Sequence, residues 1–209
     1  MRTIFLLFTL TCILNDTETI YLDNASFEGP PSDATVPVGW LPCEPGTTPD
    51  ILPGFWGVTL DPSDGDTYVG LITRGDGSWE SICQRLPLSI SSGTCYQFTI
   101  DLAYSRIYAG YNNPLQLRIW GGTSKCQKGQ LLWESKRIES EDWETFPIQF
   151  TAEKRINYLI LEAFHKEGRF SYRGNILIDH ITPLKNCARA TVSPFPYPSS
   201  GAPSGRTTF

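Results

Sequence analysis

The chain has 209 residues, a net charge of −5 and 40% hydrophobic residues, which is typical of a single globular domain. Its acidic balance disfavours nucleic acid as a partner, because binding to a phosphate backbone requires clustered Lys and Arg. The basic residues occur instead as short, scattered groups such as Lys136-Arg137 and Lys154-Arg155.

The N-terminus carries one cationic residue, Arg2, followed by a mostly apolar run from Ile4 to Leu14. This pattern predicts a signal peptide over residues 1–17, too short to span a bilayer, with a buried N-terminal strand as the alternative. Cys12 lacks a Gly or Ala directly before it, so a lipid anchor there is the less favoured alternative. No later segment is apolar over a length sufficient for a transmembrane helix.

Cysteines remain after the signal peptide at five positions, which are Cys43, Cys83, Cys95, Cys126 and Cys187. In an exported protein these are disulfide candidates, and the absence of a CxxC pair argues against zinc. An odd number leaves at least one thiol unpaired or intermolecular. The first predicted pairing is Cys95 with Cys126, and the second is Cys43 with Cys187.

The middle of the chain predicts short β-strands separated by turns, with no convincing helix. The segment 94–105 alternates apolar and polar residues, and 115–120 does the same, so each strand buries one face and exposes the other. A proline-rich stretch over 29–54 predicts a long surface loop. The predicted strands are 19–27 (interrupted), 55–60, 67–73, 79–86, 94–105, 115–120, 131–134, 146–151, 157–164 and 175–181.

The composition changes at Arg189, after which Pro, Ser, Gly and Thr dominate. We interpret 189–209 as a linker or disordered tail and 18–188 as the folded domain. A linker of this kind predicts tethering to a larger surface protein.

Several motifs resemble the galactose-binding-like jelly rolls to which many carbohydrate-binding modules belong. They are Leu22 to Gly29, Gly39 to Cys43, Gly65 to Leu71, Trp120 to Gly122 with Leu131 to Ser135, and Asn175 to Ile181. Together they look like the domains of surface and gliding-associated proteins of Bacteroidetes-type bacteria. The resemblance implies an all-β, two-layer antiparallel β-sandwich of jelly-roll type, in which the first and last strands lie side by side.

The resemblance also implies a structural calcium ion bound by Glu28 and Asp179, with help from Asp64 or Asp66 in the turn from Pro62. Calcium prefers several carboxylate and carbonyl oxygens, which these separate segments supply. The alternative is that Glu28 and Asp179 are strand-end residues whose oxygens accept backbone N–H groups.

Sugar binding needs aromatic faces for the pyranose ring and planar polar groups for its hydroxyls. The exposed faces of the two alternating strands, with nearby loops, supply the predicted ligand set of Gln97, Asp101, Gln116, Arg118, Trp120, Trp79, Tyr108 and Tyr111. The alternative is that Trp120 covers the edge of the sandwich and that Arg118 pairs with Asp101 or Glu162.

The sequence disfavours an enzyme, because it lacks an HExxH pair, a Gly-x-Ser-x-Gly elbow and a Gly-x-Gly-x-x-Gly loop. We therefore expect a non-catalytic, secreted or cell-surface module that binds a polysaccharide or glycan and is stabilised by calcium. The alternative is a structural or protein-interaction β-sandwich of a cell-surface assembly that binds no sugar.

Overall fold

The computed structural model describes residues 18–166 and 172–187, and every regular element within them is a β-strand. The predicted signal peptide and linker lie outside the described residues. In chain order the strands are β1 (Thr19–Ile20), β2 (Leu41–Pro42), β3 (Asp50–Leu52), β4 (Tyr68–Thr73), β5 (Ser81–Ile90), β6 (Cys95–Ala103), β7 (Asn113–Pro114), β8 (Gln116–Gly122), β9 (Gln130–Glu134), β10 (Glu144–Thr151), β11 (Ile156–Phe164), β12 (Gly174–Asp179) and β13 (Leu184–Asn186). A search of the described part of the chain finds no helix that is long and apolar enough to span a membrane.

The strands form two sheets that pack face to face. Sheet A has eight strands in the order β1-β13-β6-β12-β4-β3, with β10 beside β6 and β7 beside β12. Sheet B has the order β2-β5-β11-β8-β9. The pairing is antiparallel except between β7 and β12. The predicted all-β, two-layer sandwich of jelly-roll type is therefore confirmed.

The interior between the sheets follows from the period-two alternation of the strands. On β6, the side chains of Tyr96, Phe98, Ile100 and Leu102 point into one apolar core. Leu115, Leu117 and Ile119 from β8 and the chain just before it meet them from the opposite sheet. This is the face that the alternating sequence predicts as buried.

A second apolar cluster covers part of the outer face of sheet A. We call it the outer cluster, and its buried members are Leu52, Val58, Tyr68, Ile72, Ala103, Tyr108 and Leu177. The loops 53–66 and 104–112 supply Val58 and Tyr108, so these loops lie over the sheet. The prediction that this face of β6 is exposed is wrong at Asp101, which is only 5% exposed.

The predicted strand 55–60 is wrong, because these residues belong to the loop 53–66 that covers sheet A. Residues 55–60 form turns, in which Val58 N–H donates to the Phe55 carbonyl and Gly54 N–H donates to the Val58 carbonyl. Trp56 and Gly57 have φ values of +57° and +84°, which no β-strand accommodates. The alternating sequence here reflects apolar side chains that pack down onto the sheet from a loop.

The two ends of the domain lie side by side, as the jelly-roll resemblance implies, but β1 pairs with β13 and not with the predicted last strand 175–181. β1 pairs antiparallel with β13, the three-residue strand that the sequence analysis missed, and Ile181 N–H donates to the Ala25 carbonyl. The prediction for the first strand is too long, because Phe27 has a φ of +56° and turns the chain away.

The two disulfides join the four predicted cysteines in a different pairing. Cys95 bonds to Cys187 and Cys43 bonds to Cys126, so both predicted pairings are wrong. The reason is topological. The three-residue strand β13 runs beside the start of β6, and Cys187 N–H donates to the Cys95 carbonyl. Cys83 is the free cysteine of the described residues.

Asp179 at the end of β12 fastens the turn 61–66 to sheet A. Its Oδ2 accepts the backbone N–H groups of Ser63 and Asp64 at 2.8 and 3.0 Å, and its Oδ1 accepts that of His180 at 2.7 Å. The side chain is fully buried, and burial raises its pKa to about 6 against the opposing effect of the three N–H donors.

We expect this carboxyl to make the protein less stable as the pH rises from 4 to 6. The folded protein holds the proton up to about pH 6, whereas the unfolded chain releases it near pH 4, so the folded state binds more protons in this window. Between pH 4 and pH 6 this shift corresponds to a loss of about 2 kcal/mol in the free energy of unfolding. Urea unfolding at pH 4 and 6 measures the change, and the variant Asp179→Asn should show a smaller one. An equal pH dependence in both proteins would contradict the assignment.

Candidate functional site

Four of the predicted ligand residues come together on the outer face of sheet B. Arg118 lies over the Phe164 ring at 3.2 Å from its centroid, and the Trp79 ring packs against Phe164 at 5.6 Å. Trp120 is next to Arg118 along the same face, with 5.9 Å between the guanidinium carbon and the ring centroid. We call this row the sheet B strip, and Gln116 lies at its end on the same face of β8.

The polar groups of the sheet B strip bond to each other. Arg118 Nε donates to Glu134 Oε2 at 2.7 Å, so its partner is neither Asp101 nor Glu162. Trp120 Nε1 donates to Glu162 Oε2 at 2.7 Å, and Lys128 pairs with the other oxygen of Glu162. Gln116 Nε2 donates to the Ser135 carbonyl at 2.8 Å. A ligand here would have to compete with these internal bonds.

Two predicted ligand residues lie apart from the others on sheet A. Gln97 is exposed on the outer face of β6. Asp101, on the same strand, is buried beneath the turn 61–66, where it accepts a short hydrogen bond from the Ser63 hydroxyl. Its oxygen also lies 3.4 Å from His180 Nδ1. Asp101 therefore holds the turn and does not face a ligand.

The remaining two, Tyr108 and Tyr111, line a cavity of about 330 Å³ beside β3 and β4. This volume lies at the lower end of the range for small-molecule sites, roughly 300–1,000 Å³. We call it the loop cavity, because the loops 33–35, 48–50, 56 and 108–111 close it against sheet A. Its lining consists of Ala34, Thr48, Asp50, Trp56, Ile72, Arg74, Tyr108, Ala109 and Tyr111.

A carboxylate and a phenol form one wall of the loop cavity. Tyr108 OH donates to Asp50 Oδ2 at 2.6 Å, and Ala34 N–H donates to Oδ1 at 2.8 Å. Tyr108 and Asp50 are only 1% and 6% exposed. Burial, together with the Asp50 charge, raises the pKa of Tyr108 well above its ordinary value, so the phenol keeps its proton.

A buried ion pair supports the guanidinium of the loop cavity. Arg74 Nη2 donates to Glu80 Oε1 and to Thr48 Oγ1. Glu80 also accepts the N–H groups of Thr48 and Ile72, at 2.9 and 3.1 Å. Burial raises the pKa of Glu80 despite these donors. The side-chain hydrogen bonds of Arg74 both use Nη2, which leaves its Nε and Nη1 donors without a partner among the described residues.

Trp56 forms the rim of the loop cavity and is 47% exposed. Its carbonyl accepts Ala109 N–H at 3.3 Å, so the two covering loops meet there. The rim residue Tyr111 lies under the Arg173 guanidinium, at 4.2 Å from ring centroid to Cζ. An exposed indole beside a second aromatic ring is a surface on which a flat apolar ligand face can stack.

Sequence reasoning missed Trp56, Arg74 and Asp50. The alternation of residues 55–60 predicts a strand that includes Trp56, whereas the preceding Pro53-Gly54 is a signal for a turn. Arg74 stands in the turn Arg74 to Gly77 and could have been recognised as a loop cation. No local pattern connects Asp50 with Tyr108, which lie 58 residues apart.

Two of the predicted calcium ligands, Asp64 and Asp66, lie in the turn 61–66, and the carboxylates of Glu28 and Asp179 accept backbone N–H groups from that turn. Both Glu28 oxygens accept Asp66 N–H, at 3.1 and 3.2 Å, and Asp64 Oδ2 accepts the Ser26 hydroxyl at 2.6 Å. Asp179 accepts three backbone N–H groups, as the alternative interpretation expected. Within the described ranges, the acidic side chains form no group of three with ligand atoms inside 4.8 Å. Calcium therefore stays a prediction.

No protein-family model matches the sequence, and the search of curated proteins returns no match. Solved structures do match. A Stig cyclase from Fischerella sp. TAU, in complex with an indole compound, is 15% identical, with a TM-score of 0.56 over 82% of this chain and 98% of that chain.

Two further solved structures come from carbohydrate-active proteins. An arabinose-bound α-L-arabinofuranosidase is 10% identical, with a TM-score of 0.55 over 80% of this chain and 26% of that chain. The CBM22-1 xylan-binding domain of Paenibacillus barcinonensis Xyn10C is 16% identical, with a TM-score of 0.49 over 81% of this chain and 95% of that chain. At these identities the likeness shows the jelly-roll fold alone. The link to surface and gliding-associated proteins stays a prediction.

The calcium prediction has a direct test. If an ion binds the folded protein and orders the turn 61–66, millimolar calcium will raise the melting temperature by several degrees over EDTA, because a ligand of the folded state stabilises it. The variant Asp64→Asn should then lose the rise, whereas Asp76→Asn, in the separate turn 74–77, should keep it. A melting temperature that calcium leaves unchanged would contradict the prediction.

Proposed function

We propose that this chain is a non-catalytic carbohydrate-binding module of an exported protein and that the loop cavity holds the sugar. The observation that carries the proposal is the composition of the cavity, which combines the exposed Trp56 rim with the partly unpartnered guanidinium of Arg74. Stacking and hydrogen bonding to a sugar need both kinds of group in one concave place.

The aromatic part of the site suits the apolar C–H face of a pyranose ring. Trp56 and Tyr111 both line the cavity, and the carbonyl of Trp56 is held by Ala109. This bond holds the backbone of Trp56, so less of the loop has to be ordered when a ligand stacks on the indole.

The polar part of the site suits sugar hydroxyls. A guanidinium presents several N–H donors in a plane, and ion pairing with Glu80 holds that plane against β4. Asp50 adds acceptor oxygens to the lining of the same cavity, where Tyr108 and Ala34 hold its carboxylate. Donors and acceptors in one cavity favour a hydroxylated ligand.

The sequence and the disulfides support a location outside the cell for this module. Two disulfides are typical of proteins that fold in an oxidising compartment. Together with the predicted signal peptide and linker, they support a secreted or cell-surface module tethered to a larger protein. Its ligand is then an extracellular glycan or polysaccharide.

A second candidate function is binding or conversion of a small aromatic molecule in the same cavity. The buried pair of Asp50 and Tyr108 favours it, because a carboxylate next to a protonated phenol provides a proton acceptor and a donor beside aromatic walls. Two similar solved structures, both cyclases, hold indole compounds. This candidate predicts binding of an indole ketone and no binding of glycans.

The experiment is a glycan array on the full chain, followed by calorimetry with the best glycan. We expect binding to one glycan class, and we expect Trp56→Ala to lower the affinity at least about tenfold, as for the loss of an aromatic anchor worth 1.4 kcal/mol or more. Tyr21→Ala is the matched control, because Tyr21 is 67% exposed and lies outside the loop cavity.

The variant Trp120→Ala distinguishes sugar binding in the loop cavity from sugar binding on the sheet B strip. Loss of affinity in Trp120→Ala with full affinity in Trp56→Ala would move the sugar to the strip and contradict the cavity assignment. Absence of glycan binding by the folded protein would contradict the proposed function. In that case, binding of 4-(1H-indol-3-yl)butan-2-one would favour the aromatic ligand. If this compound does not bind either, the structural or protein-interaction alternative is favoured.

A further inference from the structure

Three cysteine sulfurs meet on the outer face of sheet B, away from the loop cavity and the turn 61–66. Cys43 and Cys126 form a disulfide, and the Sγ of the free Cys83 lies 3.5 Å from the Sγ of Cys126. The three sulfurs lie within 4.8 Å of one another. The Cys83 thiol is therefore in direct van der Waals contact with the Cys43–Cys126 disulfide.

The sheet register explains why these three residues meet. Cys83 lies in β5 opposite Leu41 of β2, so the chain that continues from β2 carries Cys43 over the outer face near Cys83. The turn between β8 and β9 brings Cys126 to the same place, and it does so with a φ of +61°. That turn is closed tightly, since a Cβ on Gly122 would meet the Gln127 carbonyl oxygen at 2.0 Å.

We propose that Cys83 exchanges with the Cys43–Cys126 disulfide and that this exchange makes Cys43 a site of thiol modification. The Cys83 thiolate attacks Cys126 Sγ, the Cys83–Cys126 bond forms, and the Cys126–Cys43 bond breaks. Cys43 leaves as a thiolate and takes up the proton that Cys83 lost. One disulfide and one thiol are present before and after, so the step needs no external oxidant or reductant.

The two isomers differ in which thiol meets the solvent. In the structure the free thiol belongs to Cys83, which is fully buried. After exchange the free thiol belongs to Cys43, which is partly exposed and is followed by the exposed residues Glu44, Pro45 and Gly46. A small disulfide in the medium can then react with Cys43 to form a mixed disulfide, releasing one thiolate of its own.

Burial of the Cys83 thiol determines the rate of the exchange. The apolar surroundings raise the pKa of the Cys83 thiol, with an opposing effect from the charge of Lys125, so only a small fraction is thiolate at neutral pH. The exchange rate should increase about tenfold per pH unit below that pKa, because only the thiolate attacks. The starting isomer, with the Cys43–Cys126 disulfide and the buried Cys83 thiol, should therefore persist for long periods in mildly acidic media.

The first test is alkylation of the native full chain with excess N-ethylmaleimide at pH 6.5 and 8.0, followed by peptide mapping. We expect labelling at Cys43 that is roughly thirtyfold faster at pH 8.0, as a tenfold rise per pH unit requires. The variant Cys83→Ser should show none, because it has no attacking thiol. Labelling at Cys83 alone, or no labelling of these three cysteines before the protein unfolds, would overturn the proposal. Mapping scores Cys12, which lies outside the described residues, by its own peptide.

The second test uses Cys43→Ser, which mimics the loss of the leaving thiol. We expect mass spectrometry without reduction to find a Cys83–Cys126 disulfide next to Cys95–Cys187 after folding in a glutathione buffer. Circular dichroism verifies the fold, and the double variant Cys43→Ser/Cys83→Ser, which leaves Cys126 without another cysteine of the cluster, is the control. A folded Cys43→Ser protein that keeps Cys83 and Cys126 as two thiols would overturn the proposal, and the wild-type labelling decides the question if the variant does not fold.

Discussion

Burial of both faces of the strands β4 and β12 in sheet A is the constraint on which the rest of this structure depends. All six residues of β4 and all six of β12 are buried. The sandwich interior covers one face of these strands, so the other face must be covered by chain from outside the sheets. The loops 53–66 and 104–112 do this, and the outer cluster is the apolar surface that they bury.

The covering loops explain why buried carboxylates are frequent in a protein of this size. A loop that lies on a sheet brings unpaired backbone N–H groups into the interior, and each needs an acceptor there. Asp179 accepts those of Ser63 and Asp64, Asp50 accepts that of Ala34, and Glu80 accepts that of Thr48. The acids therefore fasten the loops, at the cost of carrying charge in a poorly solvated place.

The loop cavity is a consequence of the same arrangement. Its walls are loop residues at the edge of the covered area, and its charged groups are the ones that hold those loops to the sheet. A site of this kind is rigid because its supports are structural bonds, and it is exposed because β3 is the edge strand of sheet A. In the part of the chain that the structure describes, the polar side chains of the sheet B strip bond to each other.

The sequence by itself determined the fold class, most of the strands and the identity of the four bonded cysteines. These follow from alternation, turn residues and composition, which are local properties of the chain. The tertiary structure alone decided the disulfide pairing, the burial of Asp101 and the meeting of Trp56, Arg74 and Asp50 in one cavity. Each of these depends on which segments become neighbours after folding. Alternation predicts that one face of a strand is buried, but it does not predict which loop covers the opposite face. A period of two cannot distinguish a strand face open to water from one under a loop, and that is why the predicted ligand residues are divided among three places.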